Sequence, residues 1–163
     1  MKKIAKFEKV SQAQFLKDYE GENAKAVFDD IKLPARATSG SAGYDFYAPY
    51  SFTLAPGETL KIPTGLRVKI DEGWVLKIYP RSGLGFKYRL QLNNTVGIID
   101  SDYYNSDNEG HIFIKITNDS NEGKTIELKK GEGFAQGIFV EYGITVDDEA
   151  CGVRNGGFGS TTK

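Results

Sequence analysis

A strand followed by acidic and aromatic residues is the part of the sequence best suited to chemistry. Residues 94–103 read Asn-Thr-Val-Gly-Ile-Ile-Asp-Ser-Asp-Tyr. Val96, Ile98 and Ile99 favour an extended strand, whose backbone N–H and C=O groups can read the edge of a flat heterocycle. Asp100, at the end of the strand, can hold a water molecule. This stretch is compatible with a base-recognising strand joined to a hydrolytic carboxylate, but by itself it favours a core strand that ends in a solvated acidic turn.

Four further short motifs accompany this stretch. They are Ser-Ala-Gly-Tyr-Asp-Phe at 41–46, Pro-Arg-Ser-Gly-Leu-Gly at 80–85, Gly-Phe-Ala-Gln at 133–136 and Arg-Asn-Gly-Gly-Phe-Gly-Ser-Thr at 154–161. Together with residues 94–103 they resemble, in the same order, the five signatures of the trimeric deoxyuridine triphosphatase (dUTPase) family. One such motif is weak support, whereas five in order are strong support.

The composition fits a nucleotide-processing enzyme and argues against other classes. A chain of 163 residues with a net charge of −1 predicts one domain with a substantial core, and argues against binding to nucleic acid through many phosphate contacts. A single cysteine precludes an internal disulfide. No segment resembles a signal peptide or reaches membrane-spanning length. We therefore expect a cytoplasmic protein without a nucleic-acid or membrane partner.

The distribution of apolar residues predicts an all-β fold. Residues 4–10 favour a first strand, and Ser11 is a candidate N-cap for one short helix near 11–20, ended by Gly21. Beyond it, β-branched and aromatic runs recur between turn residues, at 51–54, 59–62, 66–70, 74–79, 111–117, 125–128 and 134–142. Many short strands separated by turns are typical of a sandwich or barrel. The family resemblance implies a distorted β jelly roll, which we assign to residues 1–151.

The last twelve residues, 152–163, differ in composition from the rest of the chain. They contain four glycines and an isolated Phe158, a pattern that by itself predicts a mobile tail. The resemblance implies an arm that closes over the active site of a neighbouring subunit, and hence a homotrimer with shared sites, since a short tail needs a cyclic arrangement to reach a neighbour. It also assigns Phe158, Gly159 and Ser160 to substrate binding, with Phe158 stacked on the uracil.

Hydrolysis of a nucleoside triphosphate requires neutralisation of phosphate charge, an in-line water and a group that activates that water. The resemblance implies that Asp100 is the general base, and that its water attacks the α-phosphorus of dUTP to give dUMP and pyrophosphate. A Mg²⁺ cofactor bound mainly by phosphate oxygens and waters suits a site with few protein ligands. The resemblance assigns Asp45 to support this metal through a bound water.

Positive charge and neutral donors for the phosphates are expected from three motifs. Arg81, Ser82 and Gly83 belong to the Pro-Arg-Ser-Gly-Leu-Gly motif, which we interpret as a turn whose glycines let backbone N–H groups approach an anion. By resemblance, Gln136 adds a neutral donor to the phosphates and Arg154 contacts the γ-phosphate.

Selection of the base and sugar is expected from residues 94–103. Uracil presents an acceptor at O4 beside a donor at N3, and cytosine presents the reverse, so a fixed N–H and C=O pair rejects cytosine by leaving buried groups unpaired. We assign Gly97 and Ile99 on this strand to substrate contact, and by resemblance Asn94 matches the position that contacts the base. The resemblance places the ring of Tyr103 under the deoxyribose, where a 2′-hydroxyl would clash.

Three features depart from the family pattern. Residues 104–110 form an insertion, which we expect either to reshape the lip of the site or to bring Asp107 or Glu109 near it. Gly133 stands where the family commonly has an arginine that makes a structural ion pair. The arm has one residue fewer than many relatives between Arg154 and the following Gly-Gly pair.

Two other functions remain open at this stage. A dCTP deaminase-type relative would need a catalytic glutamate near the base, where this chain has Asp100, and the complete glycine-rich arm favours the triphosphatase. A single histidine, His111, which we expect to begin a strand, and a single cysteine exclude a zinc deaminase site. A dUTP-gated regulatory binding protein would use residues 104–110 as its contact surface, and a regulatory partner in addition to catalysis stays open.

Overall fold

The structure, a computed structural model, describes residues 1–157. These residues form eleven strands, three short α-helices and one 3₁₀ helix. The strands are β1 (Ala5–Lys9), β2 (Tyr44–Tyr47), β3 (Phe52–Leu54), β4 (Thr59–Pro63), β5 (Leu66–Ile70), β6 (Trp74–Pro80), β7 (Leu90–Leu92), β8 (Gly97–Ile99), β9 (Phe113–Asn118), β10 (Ile126–Leu128) and β11 (Gly133–Glu141). The helices are α1 (Gln12–Asp18), α2 (Ala24–Asp29), α3 (Ser82–Tyr88) and the 3₁₀ helix Ser101–Asn105. No helix within residues 1–157 is long and apolar enough to cross a membrane.

Strands that are distant in sequence pair with one another, and every pair among the described residues is antiparallel. A four-stranded sheet has the order β2-β11-β6-β8, and a three-stranded sheet has the order β4-β9-β7. Two further pairs, β1-β5 and β10-β3, complete the strand pairing. Antiparallel sheets linked by such long connections are typical of a jelly roll. The predicted all-β fold is confirmed.

Alternation along β9 illustrates how the sequence builds the core. Ile114 and Ile116 are buried, whereas Lys115 between them is exposed, as expected for a strand with one face on the core. The core also contains phenylalanines from separate elements, including Phe46 of β2 and Phe134 of β11. Burial of this apolar surface is the main stabilising contribution to the fold.

The predicted N-terminal helix is present. Ser11 is its N-cap, and its hydroxyl accepts a hydrogen bond from the N–H of Gln14 at 3.1 Å, which satisfies one of the unpaired donors of the first turn. The helix ends at Asp18, three residues before the predicted stop at Gly21.

The prediction of a single short helix is incomplete, because α2 and α3 are also present. In α3, Leu84 and Tyr88 lie one helical turn apart and pack against the core, which stabilises the helix. Gly83 and Gly85 mask this pattern in the sequence, since glycine disfavours helices. The Pro-Arg-Ser-Gly-Leu-Gly motif at 80–85 is therefore the end of a strand and the start of a helix, not a turn.

Candidate active site

The strand β8 lies at the edge of the four-stranded sheet. It pairs with β6 and with no other strand among residues 1–157, so one row of its backbone N–H and C=O groups is available to a ligand. Gly97 lies opposite Ile78 of β6, and a Cβ at Gly97 would be 3.1 Å from the Cβ of Ile78. Glycine at this position permits the close approach of the two strands.

A cavity of about 570 Å³ lies along β8. Five of the predicted site residues line it, and the structure therefore brings them together: Asn94, Gly97, Ile99, Tyr103 and Arg154. Its wall is mainly apolar with a few polar groups, which is the usual character of a small-molecule site.

The ring of Tyr103 forms one wall of this cavity. Tyr103 is buried, its hydroxyl donates to the carbonyl oxygen of His111 at 2.7 Å, and Asn108 Nδ2 donates to the Tyr103 hydroxyl at 2.9 Å. Burial raises the pKa of Tyr103 above its ordinary value of 10, so the phenol is neutral at physiological pH. Gly157 lies against the ring, since a Cβ there would be 3.0 Å from Tyr103 Cε2.

The guanidinium of Arg154, which lines the cavity, contacts two carboxylates, and neither Asp100 nor Asp102 is itself among the described residues that line the cavity. Asp100 follows β8 directly and is the N-cap residue of the 3₁₀ helix, so two elements fix its backbone. Arg154 Nη2 lies 2.5 Å from Asp100 Oδ2, and Arg154 Nε lies 2.8 Å from Asp102 Oδ1. The predicted γ-phosphate ligand thus contacts the predicted general base of its own chain.

The remaining predicted phosphate and metal residues form a second cluster. Asp45 of β2 and Gln136 of β11 are paired in register, and Arg81 Nη2 lies 3.5 Å from Asp45 Oδ2. Gln136 Nε2 donates to the carbonyl oxygen of Pro80 at 3.1 Å. Strands β2 and β11 and the junction between β6 and α3 therefore bring these side chains together from positions distant in sequence.

Ser82 and Gly83 are the first two residues of α3, where backbone N–H groups lack intrahelical partners. A Cβ at Gly83 would meet nothing within 4 Å, so this glycine leaves open space beside the backbone. Neither residue lines the cavity beside β8, and neither do Asp45, Arg81 and Gln136. Among the described residues, the predicted site is therefore divided between two places on one chain.

Gly133, the departure from the family pattern on β11, has a clear structural role. A Cβ at this position would lie 2.9 Å from Arg81 Nη1 and 3.3 Å from Arg81 Cδ. The Arg81 side chain occupies the space that a larger residue would fill, and it pairs there with Asp45.

The insertion at 104–110 folds against the N-terminal segment. The carboxylate of Glu109 accepts from the Ser11 N–H at 2.7 Å and from the Ser11 hydroxyl at 2.6 Å, and these bonds lower the pKa of Glu109 below its ordinary value. Asp107 is exposed. Neither Glu109 nor Asp107 lines the cavity among the described residues, so within one chain the insertion brings neither carboxylate to that cavity.

His111 joins the insertion to the core and does not begin a strand as predicted, since β9 starts at Phe113. Its Nε2 accepts from the N–H of Gly65 at 2.8 Å, so Nδ1 carries the proton and donates to Asp18 Oδ2 at 2.6 Å. Burial lowers the pKa of His111, although the hydrogen bond to Asp18 opposes this effect. His111 is therefore a neutral, structural histidine at physiological pH.

Several cavity residues were not predicted from the sequence, namely Lys61, Ile78, Leu92, Phe113 and Lys115. Lys61 and Lys115 face each other across β4 and β9, and Lys61 Nζ lies 4.5 Å from the ring centre of Phe113. The pairing of β4 with β9 brings the two lysines and Phe113 to the cavity beside β8. The local sequence around each residue therefore contains no signal for this position. The predicted contacts of Phe158, Gly159 and Ser160 lie outside the described residues.

Comparison with known proteins decides the family. The dUTPase family model matches residues 29–162. The chain belongs to the dUTPase family. The predicted family and class of enzyme are confirmed.

Individual relatives of this dUTPase agree with the family match. It is 46% identical over 134 residues to the deoxyuridine 5′-triphosphate nucleotidohydrolase of Lactococcus lactis, with 80% of this chain and 88% of that protein covered. It is 42% identical over 147 residues to the protein of the same name from Hahella chejuensis, with 84% and 91% covered.

Solved structures share the fold of this dUTPase. The crystal structure of the dUTPase from Streptococcus mutans matches with a TM-score of 0.65 and 34% identity, over 87% of this chain and 98% of that one. A mutant dUTPase from phage phi11 of S. aureus matches with a TM-score of 0.65 and 22% identity, over 91% and 97%. The phage structure is described as revealing the coordination of a structural Mg(II) ion.

The donor set of this dUTPase fits a metal that arrives with phosphate ligands. Residues 1–157 contain no group of three or more His, Cys, Asp or Glu side chains placed to hold a metal ion. Asp45 supplies one carboxylate, paired with Arg81. A single carboxylate suits Mg²⁺, which usually keeps several waters and takes other oxygens from a bound phosphate.

Proposed function

We propose that this dUTPase hydrolyses dUTP to dUMP and pyrophosphate, with Asp100 as the general base. The observation that carries the proposal is the position of Asp100: it follows directly on β8, the edge strand that lines the cavity. A base bound along β8 and a water held by Asp100 are thereby placed a few residues apart on a rigid element.

Uracil is read by the free backbone edge of β8, with Gly97 and Ile99 supplying N–H and C=O groups and Asn94 closing the turn before the strand. Support comes from the edge position of β8 and from the lining of the cavity by these residues. Cytosine is rejected because its reversed donor and acceptor leave buried groups unpaired.

The deoxyribose packs on the ring of Tyr103, which excludes a 2′-hydroxyl by contact. Support comes from the burial of Tyr103 and from the two hydrogen bonds that hold its hydroxyl. A ring fixed at both its backbone and its hydroxyl discriminates better than a mobile one, because it does not retreat from an added atom.

The triphosphate is bound by Arg81, by the N–H groups of Ser82 and Gly83, and by Gln136. Asp45 would hold a Mg²⁺ ion through a bound water, and the ion when bound neutralises phosphate charge. Support comes from the clustering of Asp45 on β2, Gln136 on β11 and Arg81 just after β6. Asp100 then orients the water and accepts its proton as that water attacks the α-phosphorus, and pyrophosphate leaves in line.

The protein acts as a homotrimer whose active sites are shared between subunits. Support comes from the division of the site, since the phosphate cluster does not line the cavity of its own chain among the described residues. The arm closes the site of a neighbouring subunit. On closure Arg154 leaves Asp100 and Asp102 and contacts the γ-phosphate instead. Residues 141–153, which lead into the arm and include its first two residues, are exposed throughout, so this connecting segment is not packed against its own subunit.

The substrate is tested by measuring pyrophosphate release with Mg²⁺ from dUTP, dCTP, dTTP and UTP in separate samples, with ammonia followed in the dCTP sample. Release from dUTP alone supports the proposal. Ammonia from dCTP would indicate a deaminase, and tight dUTP binding without release would indicate a regulatory binding protein; either result contradicts the proposal.

Sharing of the sites is tested by mixing two inactive variants during refolding. Asp100→Asn mixed with Arg81→Ala regains activity only if the two residues of one site come from different chains. Asp100→Asn mixed with Arg154→Ala regains activity only if the arm acts on a neighbour, because an arm acting on its own chain leaves every site with one defect. Each variant refolded alone is the control.

A further inference from the structure

The insertion after Tyr103 contains a side chain directed at the hydroxyl of that tyrosine. Asn108 Nδ2 donates to Tyr103 Oη at 2.9 Å, and the hydroxyl itself donates to the carbonyl oxygen of His111 at 2.7 Å. We propose that Asn108 is a positioning residue that fixes the ring of Tyr103 against the sugar and thereby sets the rejection of ribonucleotides. This inference rests on the proposed function, in which Tyr103 packs under the deoxyribose.

The orientation of the Asn108 amide is determined by its neighbour Gly110. Asn108 Oδ1 accepts from the Gly110 N–H at 3.2 Å, which leaves Nδ2 as the atom that faces Tyr103. Gly110 has a φ of +70°, and a Cβ there would lie 2.7 Å from the carbonyl oxygen of Tyr103. Only glycine lets the loop fold back this tightly.

Anchors on either side of this asparagine hold the insertion to the rest of the chain. Before it, the guanidinium of Arg67 lies 3.5 Å from the ring centre of Tyr104, and the Tyr104 hydroxyl donates to Glu8 at 2.6 Å. After it, Glu109 accepts two hydrogen bonds from Ser11. The asparagine is thus supported from β1, β5 and the start of α1, which makes it a rigid partner for the phenol.

The hydroxyl of Tyr103 has one proton and two lone pairs. The proton is used by the His111 carbonyl, and one lone pair is used by Asn108. Without the Asn108 donor, one of the two bonds that hold the ring is lost, and the ring yields more easily to a 2′-hydroxyl. Because dUTP needs no such movement, the expected change is a gain of UTP turnover, not a general loss of activity.

The test uses Asn108→Asp, which keeps the shape and the acceptor for Gly110 but replaces the donor that faces Tyr103. Asn105→Asp is the matched control, since Asn105 lies in the same insertion, is exposed, and makes no side-chain hydrogen bond within residues 1–157. The values of kcat and KM are measured for dUTP and UTP. We expect the dUTP to UTP ratio of kcat/KM to fall about 3-fold to 10-fold in Asn108→Asp, the effect of one hydrogen bond, and to stay unchanged in Asn105→Asp.

Tyr103→Phe provides an independent test, because it removes the hydroxyl and leaves the Asn108 to Gly110 bond in place. A fall at least as large is expected, because this variant loses both hydrogen bonds of the hydroxyl, and adding Asn108→Asp to it should cause no further fall. An unchanged ratio in Asn108→Asp or Tyr103→Phe, or an equal loss for both substrates, overturns the inference. Tyr103→Ala then separates the two claims. If it lowers the dUTP to UTP ratio, Tyr103 contacts the sugar and only the role of Asn108 is wrong. If the ratio is unchanged, the sugar contact of Tyr103 is wrong as well.

Discussion

Arg154 Nη2 lies 2.5 Å from Asp100 Oδ2, and this ion pair joins the C-terminal arm to the carboxylate that we assign as the general base. The same guanidinium contacts Asp102 through Nε at 2.8 Å. Two carboxylates beside each other repel, and one arginine between them relieves that repulsion. In our proposal a triphosphate competes for this guanidinium, and substrate binding thereby frees Asp100 for its water.

Replacement of the base is the most direct test of this assignment. Asp100→Asn keeps the size of the side chain but removes the proton acceptor, so kcat should fall by roughly 100-fold to 10,000-fold while dUTP still binds. Pyrophosphate release gives kcat, and titration calorimetry gives the Kd. Asp102→Asn is the control, because it removes the other partner of Arg154 and leaves the base. Full activity in Asp100→Asn would exclude it from the mechanism.

Deletion of residues 156–163 should separate activity from folding. Cys151, Gly152 and Val153 before the deletion are exposed, and in the described part of the deleted segment Gly157 lies against Tyr103. We therefore expect a change in the free energy of unfolding below about 1 kcal/mol, together with a large fall in kcat. Urea unfolding and pyrophosphate release measure the two effects. Loss of the folded state would show that the arm belongs to the core.

Gly133→Ala should reduce activity without much loss of stability. The added methyl would lie 2.9 Å from Arg81 Nη1, and the long Arg81 side chain can move away, which breaks its pair with Asp45. We expect kcat/KM for dUTP to fall roughly 10-fold, because the displaced Arg81 loses one charge-assisted hydrogen bond to the triphosphate, worth about 1.5 kcal/mol.

Gly137→Ala on the same strand is the matched control for that prediction. A methyl there would lie 2.8 Å from Leu76 Cδ1 and 3.0 Å from Phe46 Cε2, both in the core. Overpacking should lower the free energy of unfolding by about 1 to 3 kcal/mol and affect kcat/KM less than Gly133→Ala does. If Gly133→Ala lowers the free energy of unfolding but not kcat/KM, the glycine is not needed to keep the Arg81 side chain in place.

The parts of the site that are contiguous in sequence were predictable, and the parts made by pairing of distant segments were not. Asn94, Gly97 and Tyr103 are found beside one cavity because a turn, the strand that follows it and the helix after that strand carry them. Lys61 and Lys115 reach that cavity only through the register of β4 and β9, and no local pattern encodes a register between strands 54 residues apart.

The same distinction explains the errors in secondary structure. The predicted strands are present within two residues of their predicted limits because alternation and turn residues are local signals. The helix α3 was missed because its stability comes from packing of Leu84 and Tyr88 on the core, which overrides the low propensity of its glycines. His111 was assigned to a strand because it precedes the apolar run of β9, and its contact with Asp18, 93 residues away, has no local sequence signal. The cytoplasmic location stays a prediction.

The neutral state of His111 gives the last prediction. Burial lowers its pKa below the ordinary 6.5, so as the pH falls below 6.5 the unfolded chain binds a proton that the folded chain does not. The free energy of unfolding should then decrease, by up to about 1.4 kcal/mol per pH unit, until the pH reaches the lowered pKa. Well above pH 6.5 both states are neutral and this contribution is fully present.

His111→Gln tests this dependence cleanly because the chain has no other histidine. Urea unfolding at fixed protein concentration, between pH 8 and pH 5.5, should show a shallower decrease in the variant than in the original protein. Asp18→Asn is the complementary variant: the charge of Asp18 raises the pKa of His111, so its removal should extend the decrease to lower pH. Identical slopes in the original protein and His111→Gln would mean that His111 is protonated equally in both states.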